Sequence, residues 1–533
     1  MMNRFYIIGL LLAGFFAYTW VGSKSKQTIQ KPNIVLILND DLGYSDLACY
    51  GSEIETPNMN RLASEGLRMT QFYNTAKCTE TRAAILTGLH HQQTNNLKIA
   101  NNITLAEVLK NEGYQTILSG KWHLGDWQKE TNTPTQRGFN SYFGFLAGAI
   151  NFFTGRDYAT GTNFMRLGTE EYYAPEDFYA TDAFTDFALQ EVKTALEDEK
   201  PFFLYLAYNA PHYPLQVHRK NIDKYLDKYD IGWDSLRQTR YQKMRKMGII
   251  AEDWQLSPRD SLAPAWSSLS AKEQEEEQLL MATYAGMIDR MDEQIGRLLR
   301  QMDELDITEN TIVMFLSDNG GCPFDANRTP DLPPGPASSS RTYDTEWAQA
   351  SNTPFRKYKQ WIHEGGIATP MIIRWPAKIK ANTVSDAPGQ IVDIMPTLIE
   401  LAQATYPESY QGHEVLPMEG ISLLPIMKGS TLERNQPMFW EYNGSRAGRE
   451  GGWKLVAERG GVWELYNLQK DRTEMNNLVS KHPERVADME EKYNAWAERI
   501  GAHRHDEAKN MRINQQDRYL YAEEVKGDRS PRE

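Results

Sequence analysis

Four short apolar runs end abruptly at polar or charged residues, and this pattern constrains the fold more than any other feature of the sequence. The runs are Asn33–Leu38, Tyr114–Leu118, Phe202–Tyr208 and Thr311–Leu316. Continuous apolar runs of this length are typical of strands buried on both faces of a sheet. Helical patterns separate them at Thr104–Asn111, Thr181–Leu196 and Glu273–Leu305. The sequence therefore predicts an α/β fold with a mainly parallel central sheet flanked by helices.

The C-terminal part has a different pattern. Strand-like runs separated by glycine-rich turns lie at Pro437–Tyr442, Trp453–Ala457 and Val462–Asn467, and an amphipathic helix follows at Glu484–Ile500. This order predicts a smaller antiparallel sheet with one helix. We expect the chain to divide into an N-terminal signal over residues 1–23, a large domain over 24–424, and a C-terminal subdomain with a tail over 425–533.

Composition excludes several classes of protein. The 533 residues carry 71 Asp and Glu against 58 Lys and Arg, a net charge of −13, which argues against a nucleic-acid partner. The three cysteines, Cys49, Cys78 and Cys322, are too few for a disulfide framework.

The N-terminus predicts export. Arg4 precedes the apolar run Phe5–Val21, and small residues then lead to the polar Lys24. This is typical of a secretory signal cleaved near Ser23, which predicts a periplasmic or extracellular protein. The alternative is an uncleaved anchor, because about 17 residues is the short limit of a membrane span. Contact with a membrane is expected only through this segment.

Oxygen-bearing side chains follow two of the predicted strands. Asp40 and Asp41 come after the first strand, and Asp318 and Asn319 come after the strand at Thr311–Leu316. Ligands in open parallel sheets lie beyond the carboxyl ends of the strands. Three carboxylates and an amide suit a hard cation, so we predict a site for Ca²⁺, with Mg²⁺ as the alternative. The competing interpretation is that these residues only cap turns.

Cys78 is predicted to lie at the start of a helix that begins near Thr79. The positive end of a helix favours anions, so this position suits an anionic ligand. A lone cysteine is otherwise most often a small buried apolar residue.

Six segments, in this order, resemble the type I sulfatases of the alkaline phosphatase superfamily over nearly the whole chain after residue 31. They are Pro32–Asp46 (PNIVLILNDDLGYSD), Cys78–Gly88 (CTETRAAILTG), Gly120–Gly125 (GKWHLG), Asn209–Pro214 (NAPHYP), Ser317–Gly320 (SDNG) and Glu364–Pro370 (EGGIATP). The segment Glu464–Leu478 also resembles the closing subdomain of that family.

The resemblance implies that a formylglycine-generating enzyme oxidises Cys78 to formylglycine. One hydroxyl of the hydrated aldehyde would attack the sulfur of a sulfate ester, and the second would allow the sulfated intermediate to expel sulfate. The metal held by Asp40, Asp41, Asp318 and Asn319 would act as a Lewis acid.

The resemblance also implies roles for further residues. Arg82 and Lys121 would stabilise the ionised diol, and His123 would accept its proton. His212 and Lys359 would contact the sulfate and neutralise the leaving oxygen. His90, His91, His218 and His363 are left out of the catalytic set.

One residue departs from the family pattern. The recognition signature for formylglycine formation has Pro or Ala two residues after the cysteine, where this chain has Glu80. This leaves open a catalytically inactive carbohydrate-binding homologue. A phosphatase or phosphonate monoester hydrolase on the same fold is the other alternative.

The substrate is expected to be a sulfated carbohydrate, with aryl sulfates as an alternative. The specificity residues are expected in loops at Thr131–Glu176, His218–Ser270 and Asp325–Ser351. Tyr142, Phe152, Trp233 and Trp266 are candidates either for stacking on sugar rings or for packing. The methionines of the long helix, Met281, Met287, Met291 and Met302, are predicted to lie in the core.

Overall fold

Eleven strands form one large sheet in the computed structural model, which describes residues 31–95, 97–100, 102–509 and 511. The strands are β1 (Asn33–Asp40), β2 (Leu67–Tyr73), β3 (Gln115–Lys121), β4 (Ser141–Phe145), β5 (Met165–Leu167), β6 (Glu170–Glu171), β7 (Phe202–Pro211), β8 (Thr311–Ser317), β9 (Ala368–Arg374), β10 (Thr383–Ser385) and β11 (Gly389–Gln390). Their order is β10-β2-β9-β8-β1-β7-β3-β4-β5-β6, with β11 also paired to β2.

The centre of this sheet is parallel. β1 lies between β7 and β8, and β3 lies between β7 and β4, all in parallel register. β9 pairs antiparallel with both β8 and β2. Because the parallel strands run the same way, β1, β3, β7 and β8 all end at one edge of the sheet.

Helices cover both faces of the sheet. The α-helices are α1 (Pro57–Ser64), α2 (Cys78–Thr87), α3 (Leu105–Asn111), α4 (Ala180–Glu197), α5 (Arg219–Asp223), α6 (Gly232–Lys246), α7 (Ala271–Glu304), α8 (Asp344–Ser351), α9 (Glu364–Ile367), α10 (Ile394–Ala402), α11 (Leu424–Met427), α12 (Pro483–Ile500) and α13 (His505–Lys509). Val35 and Ile37 of β1 pack with α1, α4, α6 and α7, whereas Ile34 and Leu36 pack with α2, α3 and α10. The alternation of side chains along a strand explains how one apolar run serves two cores.

A second, smaller sheet lies near the C-terminus. It contains β14 (Met438–Tyr442), β15 (Ser445–Glu450), β16 (Trp453–Ala457) and β17 (Glu464–Asn467), all antiparallel. α12 packs on it through Tyr493 and Trp496, which join Leu455 and Trp463 in a third apolar cluster. A separate two-stranded sheet pairs β12 (Ser409–Tyr410) with β13 (His413–Glu414).

The predicted fold class is confirmed, and two details differ from expectation. β15 is a strand that the apolar pattern did not predict, because its sequence, SRAGRE, is mostly polar. β3 runs three residues further than predicted and includes Gly120 and Lys121. The four methionines of α7 are fully buried, as predicted.

The N-terminal prediction and the domain boundaries stand as predictions. Residues 1–23 lie outside the described residues. Across the part of the chain that the structure describes, no helix combines the length and the apolar character that a membrane span requires. α11 spans the predicted boundary at residues 424 and 425, and its Ile426 and Met427 pack against the larger domain.

Candidate active site

The four predicted oxygen ligands meet where β1 and β8 end. Asp40 is the last residue of β1, and a left-handed backbone at Asp41 (φ 67°) turns the chain sharply beyond the strand. The Asp318 amide donates to the Asn39 carbonyl (3.0 Å), and the Asp41 amide donates to Asp318 Oδ1 (3.3 Å). These bonds hold the two strand ends together, so their side chains face one point.

Three oxygens of this group are buried without a hydrogen-bond partner. They are Asp40 Oδ1, Asp41 Oδ2 and Asn319 Oδ1. Buried oxygens normally accept hydrogen bonds, since an unpaired one loses about 1–3 kcal/mol of solvation. Carboxylate and amide oxygens are the donors that hard divalent cations prefer. The donor set therefore fits a bound Ca²⁺ or Mg²⁺.

Each carboxylate also faces one buried cation. Lys121 Nζ lies 2.6 Å from Asp40, Arg82 Nη2 lies 2.8 Å from Asp318, and Lys359 Nζ lies 2.5 Å from Asp41. The Asn319 amide donates to Asp41 Oδ1 at 2.6 Å. Lys121 and Lys359 therefore bind Asp40 Oδ2 and Asp41 Oδ1, and the second oxygen of each carboxylate remains available to another cation.

The acids respond differently to this environment. Burial opposes ionisation of Asp40, but Lys121 and its neighbouring cations hold the pKa of Asp40 well below its usual range. Burial likewise opposes ionisation of Asp41, and Lys359 lowers the pKa of Asp41. Burial and the negative charge of Asp40 raise the pKa of Asp318. A divalent cation at this point would relieve that repulsion between carboxylates.

Cys78 is the first residue of α2 and lies beside the carboxylates. Its Sγ lies within 4.8 Å of ligand atoms of Asp40 and Asp318. Burial by itself would raise the pKa of the Cys78 thiol, but the ammonium groups of Lys121 and Lys359 lower it to about 7. A group at this position that becomes negative is therefore stabilised by two lysines.

Two histidines line the same site. His123 Nδ1 lies 3.5 Å from Cys78 Sγ and 3.3 Å from Thr79 Oγ1. His212 donates from Nδ1 to the carbonyl of Tyr213 (2.5 Å), so its Nε2 faces Asp41 Oδ2 at 3.5 Å. Burial lowers the pKa of both histidines, and for His123 the charge of Lys121 lowers it further. Both are neutral near pH 7 and able to accept a proton.

The structure thus brings all ten predicted site residues into one connected cluster. It places four other histidines elsewhere. His90 packs edge-on against Trp496 of α12, and His363 lies 3.3 Å from Glu464. His218 packs between Phe153 and Tyr179. His91 begins a 3₁₀ turn after α2, where burial lowers its pKa against the pull of Glu80.

The aromatic candidates for sugar stacking are packing residues. Tyr142, Phe152 and Trp233 are almost fully buried. Trp266 meets Trp233 edge-on, with ring centroids 4.8 Å apart. Cys49 and Cys322 are buried free thiols, and burial raises the pKa of each.

Glu80 is buried in the first turn of α2. Its Oε2 atom has no hydrogen-bond partner, and burial raises the pKa of Glu80 while His91 opposes that rise.

Sequence reasoning missed three neighbours of the site, namely Lys77, Phe324 and Tyr284. The Tyr284 hydroxyl donates to the Asp41 carbonyl at 3.0 Å. Tyr284 lies among the buried residues of α7, which read as ordinary core, so its sequence context carries no signal of this contact.

Comparisons with known proteins find similar sequences over most of the chain. The sulfatase family model matches residues 32–404, and the model for the N-sulphoglucosamine sulphohydrolase C-terminal region matches residues 355–498. An uncharacterized sulfatase of Schizosaccharomyces pombe is 33% identical over 85% of this chain and 91% of its own. The arylsulfatase of Klebsiella aerogenes is 32% identical over 79% of this chain and 95% of its own.

A solved structure extends the similarity to the fold. The crystal structure of Ps i-CgsB in complex with k-i-k-neocarrahexaose aligns with a TM-score of 0.66 and 25% identity. The alignment covers 94% of this chain and 98% of that chain.

Proposed function

This chain belongs to the sulfatase family and is a sulfuric ester hydrolase, and from that premise we propose that it removes sulfate from a sulfated carbohydrate by means of formylglycine made from Cys78 and one divalent cation. One observation carries the proposal. Cys78 Sγ lies within 4.8 Å of the carboxylates of Asp40 and Asp318, in the cluster that holds three buried orphan oxygens.

Conversion of Cys78 replaces its thiol with an aldehyde, which as a hydrate supplies one hydroxyl for attack on sulfur and a second for release of sulfate. Lys121 and Lys359 lower the pKa of the thiol and would favour an ionised hydroxyl in the same place. Arg82 holds Asp318 and donates to the Lys121 carbonyl (3.1 Å), which fixes the position of that lysine.

The two neutral histidines suit proton transfer. His123, beside Cys78, is placed to accept the proton of the attacking hydroxyl. His212 and Lys359 flank Asp41 on the other side, where they would contact the sulfate. Lys359, whose ammonium carries a proton, would neutralise the leaving oxygen, and His212 would do so once it has taken up a proton at Nε2.

Asp40, Asp41, Asp318 and Asn319 would hold the cation, and these hard oxygen ligands suit Ca²⁺, with Mg²⁺ as the alternative. When bound, the cation would supply a Lewis acid that orients the reacting groups. We further propose that the protein is exported, that residues 1–23 are its signal, and that a formylglycine-generating enzyme modifies it during maturation.

The first test is the mass of the peptide that contains Cys78, from protein made in its native host. Conversion of thiol to aldehyde is the expected result. An unmodified thiol would overturn the formylglycine mechanism. It would favour the alternative of an inactive carbohydrate-binding homologue, which the presence of Glu80 in the recognition signature suggests.

The second test is release of sulfate by purified variants. We expect Cys78→Ala and Asp41→Asn to lower turnover of 4-nitrophenyl sulfate by at least about a thousandfold, since each removes a part that acts as one unit with the rest. Near wild-type turnover by either variant would contradict the site assignment. Release of phosphate or phosphonate esters in preference to sulfate would favour the alternative hydrolase.

The carbohydrate assignment is supported by the oligosaccharide bound to the similar structure with neocarrahexaose. A panel of sulfated oligosaccharides, assayed for free sulfate, tests it. Turnover of aryl sulfates alone would contradict a carbohydrate substrate.

A further inference from the structure

Lys77 is a cation beside the site that the reaction does not use. It directly precedes Cys78, and its side chain is half-buried. Within the described part of the chain, no carboxylate lies within ion-pair distance of Lys77 Nζ. Because Lys77 directly precedes Cys78, its charge lies near the site, where it acts to lower the pKa of Cys78 and of His123 and opposes the rise in the pKa of Glu80.

Phe324 connects Lys77 to the reaction centre. Lys77 Nζ lies 5.4 Å from the centroid of the Phe324 ring, and Lys359 Nζ lies 5.7 Å from the same centroid. One aromatic ring therefore contacts a lysine assigned to the sulfate and a lysine that has no assigned partner. The two ammonium groups are held on a common apolar surface, which keeps Lys77 from folding away into solvent.

Arg328 is a second such cation, on the same loop as Phe324. Its guanidinium stacks on Tyr158 at 5.3 Å, and Tyr158 meets Tyr213 edge-on with centroids 5.5 Å apart. Tyr213 in turn packs on His212 at 4.3 Å. These contacts form a continuous row of stacked side chains from His212 outward to Arg328. Arg328 is exposed and has no carboxylate partner among the described residues.

Lys77 and Arg328 differ from the cations of the site itself, since neither has a carboxylate within ion-pair distance among the described residues. Acidic residues outnumber basic ones by 71 to 58, and the site lysines and Arg82 are each paired with a carboxylate. An ammonium or guanidinium group left without an acid, but held by an aromatic ring, is suited to an anion that arrives with the ligand.

We propose that Lys77 and Arg328 bind further anionic groups, sulfate or carboxylate, on the carbohydrate that carries the reacting sulfate. This inference rests on the proposed function and narrows its substrate to a polyanionic carbohydrate. Lys77 serves a group next to the reacting sulfate, and Arg328 serves one further along the chain, beyond Tyr213 and Tyr158.

The test measures binding separately from chemistry. Short dextran sulfate, with neutral dextran as the reference ligand, is titrated into the full-length protein by calorimetry, and hydrolysis of 4-nitrophenyl sulfate is followed in parallel. We expect Lys77→Gln and Arg328→Gln each to weaken binding of dextran sulfate by roughly tenfold or more, the usual size of a lost charge-assisted hydrogen bond. Lys77→Arg should recover most of that loss.

Lys380→Gln is the matched control, because Lys380 is exposed, lies before β10 and has no ion pair among the described residues. It should leave binding unchanged. Binding of dextran sulfate to Lys77→Gln and Arg328→Gln at wild-type strength would overturn the inference while leaving sulfatase activity intact. Conversely, tight binding with no turnover of any sulfate ester would support the polyanion site and overturn the proposed function.

Discussion

At the scale of single residues, the site is organised by matched buried charges. Lys121, Arg82 and Lys359 each hold one oxygen of a carboxylate, whereas Asp40 Oδ1, Asp41 Oδ2 and Asn319 Oδ1 have no hydrogen-bond partner. Two of the residues that converge, Asp41 and His123, adopt left-handed backbone conformations that are costly for residues with a side chain. Such a cluster is unfavourable unless something positive binds at its centre.

The first prediction concerns that centre. A chelator should abolish hydrolysis of 4-nitrophenyl sulfate, and Ca²⁺ should restore it. Ca²⁺ at about a hundred times its dissociation constant should also stabilise the native protein by about 2.7 kcal/mol, seen as a rise in Tm. Mg²⁺ is titrated in parallel to compare the two ions.

Asp40→Asn should lose this Ca²⁺-dependent rise in Tm, because it removes a charged ligand. Asp198→Asn, which changes an exposed carboxylate whose ion-pair partner among the described residues is Lys200, should keep it. An undiminished rise in the Asp40 variant would show that the ion binds elsewhere.

At the scale of elements, the ends of neighbouring strands position the site. Leu118 and Ser119 of β3 pair with Tyr205 and Leu206 of β7, and Lys121 follows at the end of the strand. Gly120 lies between Ser119 and Lys121 and has a φ of 113°. A Cβ added at Gly120 would lie 2.0 Å from the Ala207 carbonyl oxygen of β7. The approach of β3 to β7 at this point requires glycine, and the position of Lys121 depends on that approach.

We therefore expect Gly120→Ala to destabilise the protein by roughly 2–4 kcal/mol, the sum of overpacking and a left-handed backbone. It should also lower turnover, because Lys121 moves with the strand. Denaturant unfolding followed by circular dichroism measures the free energy of unfolding.

Gly113→Ala is the control for the backbone contribution alone. Gly113 also has a positive φ, 88°, but nothing lies within 4 Å of an added Cβ. It should cost about 1–2 kcal/mol and leave turnover nearly unchanged. Equal losses for the two variants would argue against the collision with β7.

At the scale of the whole molecule, a buried ionic network joins the small sheet to the large one. Lys454 of β16 lies 2.9 Å from Glu364 and 2.8 Å from Glu474. Arg472 lies 2.6 Å from Glu364, to which the Tyr73 hydroxyl of β2 also donates. Cations lower the pKa of Glu364 to about 2 against the opposing effect of burial. Glu364 follows Lys359 by five residues, so the network also supports the segment that carries a site lysine.

Lys454→Ala should cost about 3–5 kcal/mol of stability, because it removes the cation that Lys454 presents to the buried carboxylate of Glu474 and leaves Glu364 with Arg472 alone as its close ion-pair partner. The loss should appear in the free energy of unfolding and as faster proteolysis near the small sheet. Lys492→Ala breaks exposed ion pairs with Glu450 and Asp488 and should cost less than about 1 kcal/mol. Similar costs for both variants would mean that the buried network contributes little.

Acid sensitivity is expected where His90 of the larger domain packs against Trp496 of α12 in the smaller one. Burial lowers the pKa of His90 to about 4, despite Glu419 nearby. The unfolded state, with an ordinary pKa near 6.5, then binds more protons than the native state between these values. His90 therefore favours the native state above pH 6.5, and that contribution is lost as the pH falls toward 4.

We expect His90→Gln to flatten the fall in Tm between pH 6.5 and 4. His413→Gln, at an exposed position in β13, should keep the wild-type profile. An unchanged pH profile for the His90 variant would assign the acid sensitivity to other buried histidines.

Much of the fold and the site could be predicted because their signals are local. Apolar runs reveal strands, and the polar residues at the ends of β1, β7 and β8 mark one edge of a parallel sheet. The apolar pattern did not predict β15, because the strand is mostly polar. Its Arg446 and Arg449 bind groups outside the strand, the Glu458 carbonyl and the Tyr73 hydroxyl, and a local pattern cannot show these contacts. The sequence does not predict the last residues of β3, because a glycine such as Gly120 usually ends a strand. In the structure Gly120 pairs with Ala207 of β7, so the strand continues to Lys121.

By itself, the sequence predicted the α/β class and the small C-terminal sheet with its helix, since apolar runs and turns are local signals. Strand ends predicted the four oxygen ligands, and the resemblance of short motifs to a family predicted the other six candidate residues of the site. Only the tertiary structure decided which lysine pairs with which carboxylate, that Trp233 and Phe152 pack in the interior, and that Lys77 and Arg328 have no carboxylate partner among the described residues. The physical reason is that burial and charge pairing depend on residues far apart in the chain. Asp41 and Lys359, 2.5 Å apart in space, are separated by 318 positions in sequence.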